Sequence, residues 1–127
     1  MNLLLDTHAL LWLFDDDDRL SENAKEIIAN PDNKIFISIA SFWEIAIKMS
    51  LSKLTLDIPL EQLFDECEKL DINVLNINKK HLLFLTKLPF VHRDPFDRLI
   101  ICQAIVENCT LVSADKAFFQ YDIKTIK

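Results

Sequence analysis

Short apolar runs alternate along this chain with segments of helical periodicity, and this alternation constrains the fold more than any other feature. The runs cover residues 2–5, 35–37, 73–75 and 110–112, with a weaker one at 123–126. Each has the length of a strand and is too short for a buried helix. Short strands separated by helices are typical of a parallel sheet covered by helices. We therefore expect an α/β fold, a three-layer α/β/α sandwich with a mainly parallel central sheet of four to five strands.

The segments between these runs predict helices with recognisable starts. They cover about 7–14, 21–29, 40–50, 59–70, 79–88 and 95–107. Thr7 is the predicted N-cap of the first helix, and Pro95 suits the first turn of the last. The chain has no glycine, so a turn that needs positive φ must use Asn or Asp. Asn108, between the last helix and the strand at 110, is the clearest candidate for such a turn.

Composition limits the kind of protein this is. The 127 residues, 50% of them hydrophobic, suit one core, and we predict a single domain over residues 1–127. A net charge of −6 argues against broad attraction to nucleic acid or anionic membranes, although carboxylates that bind a cation would explain part of it. No apolar segment reaches the ~18 residues of a membrane span. The three cysteines form no C-x-x-C pair, which favours reduced thiols in a cytoplasmic protein.

Four carboxylates interrupt the apolar pattern at separate places in the chain. Asp6 follows the first strand, Glu44 lies within an apolar helix, Asp97 begins the last helix and Asp115 follows the strand at 110–112. Acids rarely stay buried unless they are paired or bind a metal. In open α/β sheets, ligands bind beyond the carboxyl ends of the strands, where Asp6 and Asp115 are expected. The pattern predicts one acidic site assembled by folding.

The predicted site has the ligands of a hard cation. Carboxylate oxygens without a histidine or cysteine cluster favour Mg²⁺, with Mn²⁺ as a substitute, over Zn²⁺. Such sites suit phosphodiester hydrolysis, in which a metal lowers the pKa of the attacking water. Each acid alone has an ordinary explanation: Asp6 or Asp97 as a helix cap, Asp115 in a turn, and Glu44 paired with Lys48. All four arising independently at such positions is much less probable.

Four segments of the chain resemble one known family. They are LLDTHALLW at 4–12, SFWEIAIK at 41–48, HRDPFDRL at 92–99 and LVSAD at 111–115. Together they resemble a PIN-domain ribonuclease, specifically a VapC-type toxin of a type II toxin–antitoxin pair. The resemblance spans nearly the whole chain, and the third segment is especially specific. The family's usual glycine at the turn before 110 is replaced by Asn108, a departure that leaves the acids untouched.

The resemblance implies a Mg²⁺-dependent endoribonuclease that hydrolyses RNA with a metal-activated water. Asp6, Glu44, Asp97 and Asp115 would be the catalytic and metal-binding acids. The resemblance also implies a homodimer neutralised by a small cognate antitoxin, whose C-terminal segment would occupy the active-site groove. Phe118 and Phe119 are apolar positions that we expect to be exposed for such contacts.

Further residues next to the acids are candidates for auxiliary roles. Asp94 is either an extra ligand or the cap of the following helix, and we favour the cap. Ser113 is placed to hydrogen-bond a metal ligand or water. The predicted RNA phosphate contacts are Lys48, Arg93, Arg98 and Lys116. For Arg98, a structural ion pair with a neighbouring acid is an equally good explanation.

The aromatic and histidine residues near the motifs provide weaker evidence about function. His8 and His92 could help to bind phosphate, but no partner pattern supports either as a general base. Trp12 and Trp43 lie in apolar helical runs, so we interpret them as core or dimer-contact residues. Base-stacking side chains are usually exposed, which argues against that role for both.

Three other classes of protein remain as alternatives. A receiver domain needs a phosphoacceptor Asp after its third strand, where this chain has Asn76. A haloacid-type phosphatase needs an Asp two residues after its nucleophile, where His8 stands. The third alternative, a catalytically inactive PIN-like module that binds RNA or protein, is disfavoured because all four acids are present.

Overall fold

The computed structural model describes residues 1–127 and contains five strands and six α-helices. The strands are β1 Asn2–Leu5, β2 Lys34–Ser38, β3 Ile72–Leu75, β4 Thr110–Val112 and β5 Thr125–Ile126. The helices are α1 Thr7–Phe14, α2 Glu22–Ala29, α3 Ile39–Ser50, α4 Leu60–Lys69, α5 Lys79–Leu85 and α6 Pro95–Val106, and a 3₁₀ helix covers Lys116–Gln120. The predicted alternation of strands and helices is confirmed.

The strands form one sheet in the order β3-β2-β1-β4-β5, with every neighbouring pair parallel. Alternate side chains of β1 enter two separate cores, as the period of two along a strand requires. Leu3 and Leu5 pack with α1 to α4, whereas Leu4 packs with α6 and the 3₁₀ helix. The central strand is therefore buried on both faces, and the predicted three-layer α/β/α fold is confirmed.

The ends of the helices differ in places from the prediction. Thr7 is the first residue of α1, and the N-cap is Asp6, whose carboxylate accepts a hydrogen bond from the Ala9 N–H. The prediction placed the cap one residue too late because both side chains are common caps. Helix α5 ends at Leu85, three residues before the predicted end, and Thr86 caps it. The 3₁₀ helix after β4 was not predicted.

Turns without glycine use the residues that tolerate positive φ. Asn108 has φ 54°, as predicted for the turn before β4, and Asp16 and Asp71 have φ 48° and 56°. Ser52, also at φ 56°, is an addition that the sequence did not indicate. The three cysteines are buried free thiols. None of the helices combines the length and the apolar character that crossing a bilayer requires.

Candidate functional site

The central strands bring two of the predicted acids to the same end of the sheet, beyond the carboxyl ends of β1 and β4. β1 lies between β2 and β4, so the direction in which successive strands are added reverses between β1 and β4. Such a switch point leaves a crevice beyond the carboxyl ends of the strands. Asp6 follows β1 there, and its backbone N–H donates to the Val112 carbonyl at the end of β4 (3.1 Å). Asp115 follows β4 by three residues.

Ser113 links these two acids. Its buried hydroxyl donates to Asp6 Oδ2 (2.5 Å) and accepts a hydrogen bond from the Asp115 backbone N–H (3.0 Å). The other Asp6 oxygen, Oδ1, accepts from the Ala9 N–H (2.7 Å). Burial raises the pKa of Asp6, while the bonds from Ser113 and Ala9 and the nearby His8 lower it. Both oxygens of Asp6 are thus held in fixed directions, and the predicted hydrogen-bonding role of Ser113 is seen in its bond to Asp6.

Glu44 reaches the same end of the molecule from α3. It is 7% exposed, and its Oε1 accepts a hydrogen bond from the Thr7 hydroxyl (2.8 Å), which also lies 2.9 Å from the Ser41 hydroxyl. Its Oε2 accepts from Lys48 Nζ (2.9 Å), the ion pair considered as the ordinary explanation for this acid. The carboxylate is therefore oriented from one side by α1 and from the other by its own helix.

Asp97 lies in the first turn of α6, which Asp94 caps. The Asp94 carboxylate accepts from the backbone N–H groups of Phe96 (2.9 Å) and Asp97 (3.0 Å), so the favoured interpretation of Asp94 as a cap is confirmed. Burial raises the pKa of Asp97 to about 6, against the opposing effect of its contact with His92 (Nε2 to Oδ2, 2.8 Å). The negative charges of Asp94 and Glu44 raise this pKa further.

Asp115 is the fourth acid and lies at the solvent-exposed entrance to the site. It is exposed, and its carboxylate accepts from the Ala117 N–H (2.9 Å) at the start of the 3₁₀ helix. One ligand atom each of His92, Asp97 and Asp115 lies within 4.8 Å of the other two. Asp115 also raises the pKa of Asp6, just as Glu44 raises that of Asp97. The four predicted acids therefore share one electrostatic site, although they come from four separate parts of the chain.

The predicted phosphate contacts have different surroundings. Arg93 and Lys116 are exposed, and Lys48, in its ion pair with Glu44, keeps 40% of its side chain exposed. Arg98 is buried, and its guanidinium donates to the carbonyls of Pro89 (3.0 Å) and Leu88 (3.4 Å). Arg98 therefore anchors the loop before α6. These contacts differ from the ion pair with a neighbouring acid that was the alternative, and the phosphate contact of Arg98 stays a prediction.

Several residues of the site were missed or misplaced at the sequence level. His92 was considered only for phosphate, but its contact with Asp97 makes it part of the acidic cluster. The Thr7–Ser41 pair behind Glu44 had a partial signal, because Ser41 lies one helical turn before Glu44. Trp43 was interpreted as core or dimer contact, and its 58% exposure rules out the core. Phe118, expected at the surface, is fully buried in the second core, whereas Phe119 is 40% exposed.

The fold and the site together define a class: a parallel α/β domain with a carboxylate site at its topological switch point. The family model described as "PIN domain" matches residues 3–124, and the chain belongs to the PIN domain family. A search of curated proteins finds no match.

Solved structures with the same fold cover this chain almost completely. The VapBC2 structure from Rickettsia felis, bound to a DNA fragment from its promoter, matches with TM-score 0.72 and 21% identity over 99% of this chain and 98% of that one. The VapBC-1 structure from nontypeable Haemophilus influenzae matches with TM-score 0.68 and 22% identity over 100% and 98%. A toxin–antitoxin complex from Klebsiella pneumoniae matches with TM-score 0.66 and 19% identity over 98% and 96%. At these identities the likeness establishes the fold.

Proposed function

We propose that this protein is a Mg²⁺-dependent endoribonuclease of the VapC type, the toxin of a toxin–antitoxin pair acting in the cytoplasm. The observation that carries the proposal is the convergence of Asp6, Glu44, Asp97 and Asp115 at the switch point of a PIN fold. Three of them are partly or fully withdrawn from water although they carry like charges. Placing acids this way opposes folding unless a cation compensates them.

The residues present fit a hard divalent cation. The donors are carboxylate oxygens with one imidazole, which suits Mg²⁺ or Mn²⁺. Burial is the main cause of the raised pKa values of Asp6 and Asp97, and neighbouring carboxylates raise both further. Asp6, Glu44, Asp97 and Asp115 would hold the ion. When bound, it would supply a lowered pKa for an attacking water and charge stabilisation for the phosphate.

The chain's own residues would orient the reactants. Ser113 and the Ala9 N–H fix both oxygens of Asp6, and Thr7 fixes one oxygen of Glu44. His92 holds one oxygen of Asp97. Fixed ligands reduce the reorganisation required when charge develops at the phosphate. Lys48, Arg93 and Lys116 lie close in sequence to the acids of the site. They would neutralise RNA phosphates on either side of the bond that is cleaved.

A partner and a dimer belong to the same proposal. The structures from H. influenzae, R. felis and K. pneumoniae are of VapBC or toxin–antitoxin complexes, and each matches nearly the whole length of this chain. We propose a small antitoxin whose C-terminal segment covers the acidic entrance, and a homodimer of this chain. Size-exclusion chromatography with light scattering tests both, on the protein alone and after co-expression with the small open reading frame that we expect next to its gene. A protein that stays monomeric and does not bind the product of that reading frame would contradict the proposed dimer and partner.

Cleavage of a mixed RNA pool tests the activity. The wild-type protein should cleave in Mg²⁺ or Mn²⁺ and lose activity in EDTA, and Asp6→Asn and Asp97→Asn should each be inactive. Asp57→Asn is the matched control, since Asp57 is an exposed acid without a hydrogen bond or ion pair. Equal cleavage by wild type and the two site variants would refute the mechanism. RNA that is bound and not cleaved would favour the alternative of an inactive PIN-like binding module.

A further inference from the structure

Trp43 is exposed beside the acidic site. It is the residue before Glu44 in α3, and 58% of it is accessible to solvent, whereas Phe42 and Ile45 on the same helix are buried. A large aromatic ring in water contributes little to folding. Trp43 and Glu44 are consecutive residues of α3, with the indole ring exposed and the carboxylate buried. Its place in an apolar helical run argued against Trp43 as a base-stacking residue, and its exposure removes that objection.

A second aromatic residue supports the Trp43 ring. The rings of Trp43 and Phe96 meet edge to face, with centroids 5.1 Å apart and an interplanar angle of 78°. Phe96 directly precedes Asp97, just as Trp43 directly precedes Glu44. Edge-to-face contact is a favourable geometry for two aromatic rings, and it restricts the orientation of both. The two helices that supply Glu44 and Asp97 thus also supply an aromatic pair at the rim of the site.

We infer that Trp43, braced by Phe96, is the platform on which a base of single-stranded RNA stacks next to the phosphate that is cleaved. The inference rests on the proposed function and names a positioning residue for it. In a nucleotide, one ribose separates the phosphate from the base, so a phosphate at the acids places its base beside them. Exposed aromatic rings next to a phosphate-binding groove bind bases of any sequence through their π-faces.

The surroundings of Trp43 favour RNA over a protein partner. Protein interfaces have an apolar centre from which charged side chains are depleted. Here Trp43 is next in sequence to Glu44, which pairs with Lys48 on α3, and its ring contacts Phe96, the residue before Asp97. Unpaired bases and phosphates match this mixture of an aromatic face, cation ligands and basic side chains. A protein contact is the competing outcome of the experiment.

Tryptophan fluorescence can test the stacking directly, because the chain has two tryptophans and Trp43→Phe leaves only Trp12. Full-length protein would be titrated with oligouridylate, oligoadenylate and an abasic oligomer with the same number of phosphates, in Ca²⁺ to slow turnover and separately in EDTA. We expect quenching by both base-containing oligomers, absent with the abasic oligomer and absent in Trp43→Phe. No base-dependent quenching in either condition would overturn the inference.

Affinity and kinetics complete the test. Trp43→Ala and Trp43→Leu should weaken oligonucleotide binding roughly 5- to 100-fold and raise KM more than they lower kcat, whereas Trp43→Phe should restore most of the affinity. Because Trp43 is exposed, circular dichroism and the thermal midpoint of each variant should match the wild type. Unchanged cleavage by Trp43→Ala, with Asp97→Asn inactive, would overturn the platform and leave the nuclease proposal standing.

Two further outcomes separate the proposals. If the wild-type protein does not cleave RNA, the proposed activity fails, and the base-dependent quenching still decides whether Trp43 is a stacking platform. If Trp43→Ala leaves RNA binding unchanged and instead loses the homodimer or the antitoxin complex, Trp43 is a protein contact and the inference is wrong.

Discussion

Replacing Asp97 with asparagine is expected to raise the stability of the metal-free protein at neutral pH while abolishing RNA cleavage. Burial raises the pKa of this carboxyl from its ordinary value of 3.8 to about 6. The unfolded chain therefore releases the Asp97 proton at a lower pH than the folded protein does. Folding loses stability as the pH rises through this window, from about 4 to about 6. Asparagine has the same shape and carries no charge to bury.

The size of the effect follows from the shift in pKa. A difference between 3.8 and about 6 corresponds in full to roughly 3 kcal/mol. Because 21% of the Asp97 side chain remains exposed, solvent screening reduces the effect, and we expect about half of that, ~1.5 kcal/mol. The stability difference between Asp97→Asn and wild type should be near zero below pH ~4 and complete above pH ~6.

Urea denaturation in EDTA at a series of pH values from 4 to 8 measures this difference. Asp57→Asn, which removes an exposed acid and changes the net charge equally, should follow the wild type throughout. Saturating Mg²⁺ should reverse the order: at 100 times its Kd a ligand adds about 2.7 kcal/mol, and the wild type binds the ion more tightly than the variant. If the urea midpoint of Asp97→Asn at pH 8 in EDTA is equal to or lower than that of the wild type, the reasoning is wrong.

Three other substitutions have expected outcomes that follow from single contacts. Ser113→Ala removes the hydroxyl that holds Asp6, so cleavage should fall at least tenfold while unfolding free energy falls by about 1–2 kcal/mol; an unchanged cleavage rate contradicts this role. Arg98→Ala releases the loop before α6, so the unfolding free energy should fall by about 1–3 kcal/mol and proteolysis of the loop should be faster. The unfolding free energy of the control Arg93→Ala should stay within ~0.5 kcal/mol of the wild-type value. Asn108→Ala should lower the thermal midpoint because φ is 54°, and Asn108→Gly should not; equal midpoints for both would refute the strain.

The sequence by itself was sufficient where the determining forces are local. The apolar runs and helical periodicities predicted the order of the elements, since both periods are properties of a single segment. Asp94 as the cap of α6 and Asn108 at positive φ follow from the same kind of reasoning, because each depends on neighbours within a few residues. The four acids stood out because charge is rare within apolar segments, and that rule also needs no knowledge of the fold.

Only the tertiary structure decided which side chains meet and which face water. Ser113 and Asp6 are separated by 107 residues in sequence and are joined because β1 and β4 are neighbours in the sheet. Periodicity shows that a helix has an apolar face, and it does not show which residues another element covers. Packing therefore buried Phe118, which was expected at the surface, and left Trp43 exposed, which excludes the core from the two roles considered for it. The sequence supplied the charges of the site, and long-range packing assembled them and brought Trp43 against Phe96, each next in sequence to one of the acids.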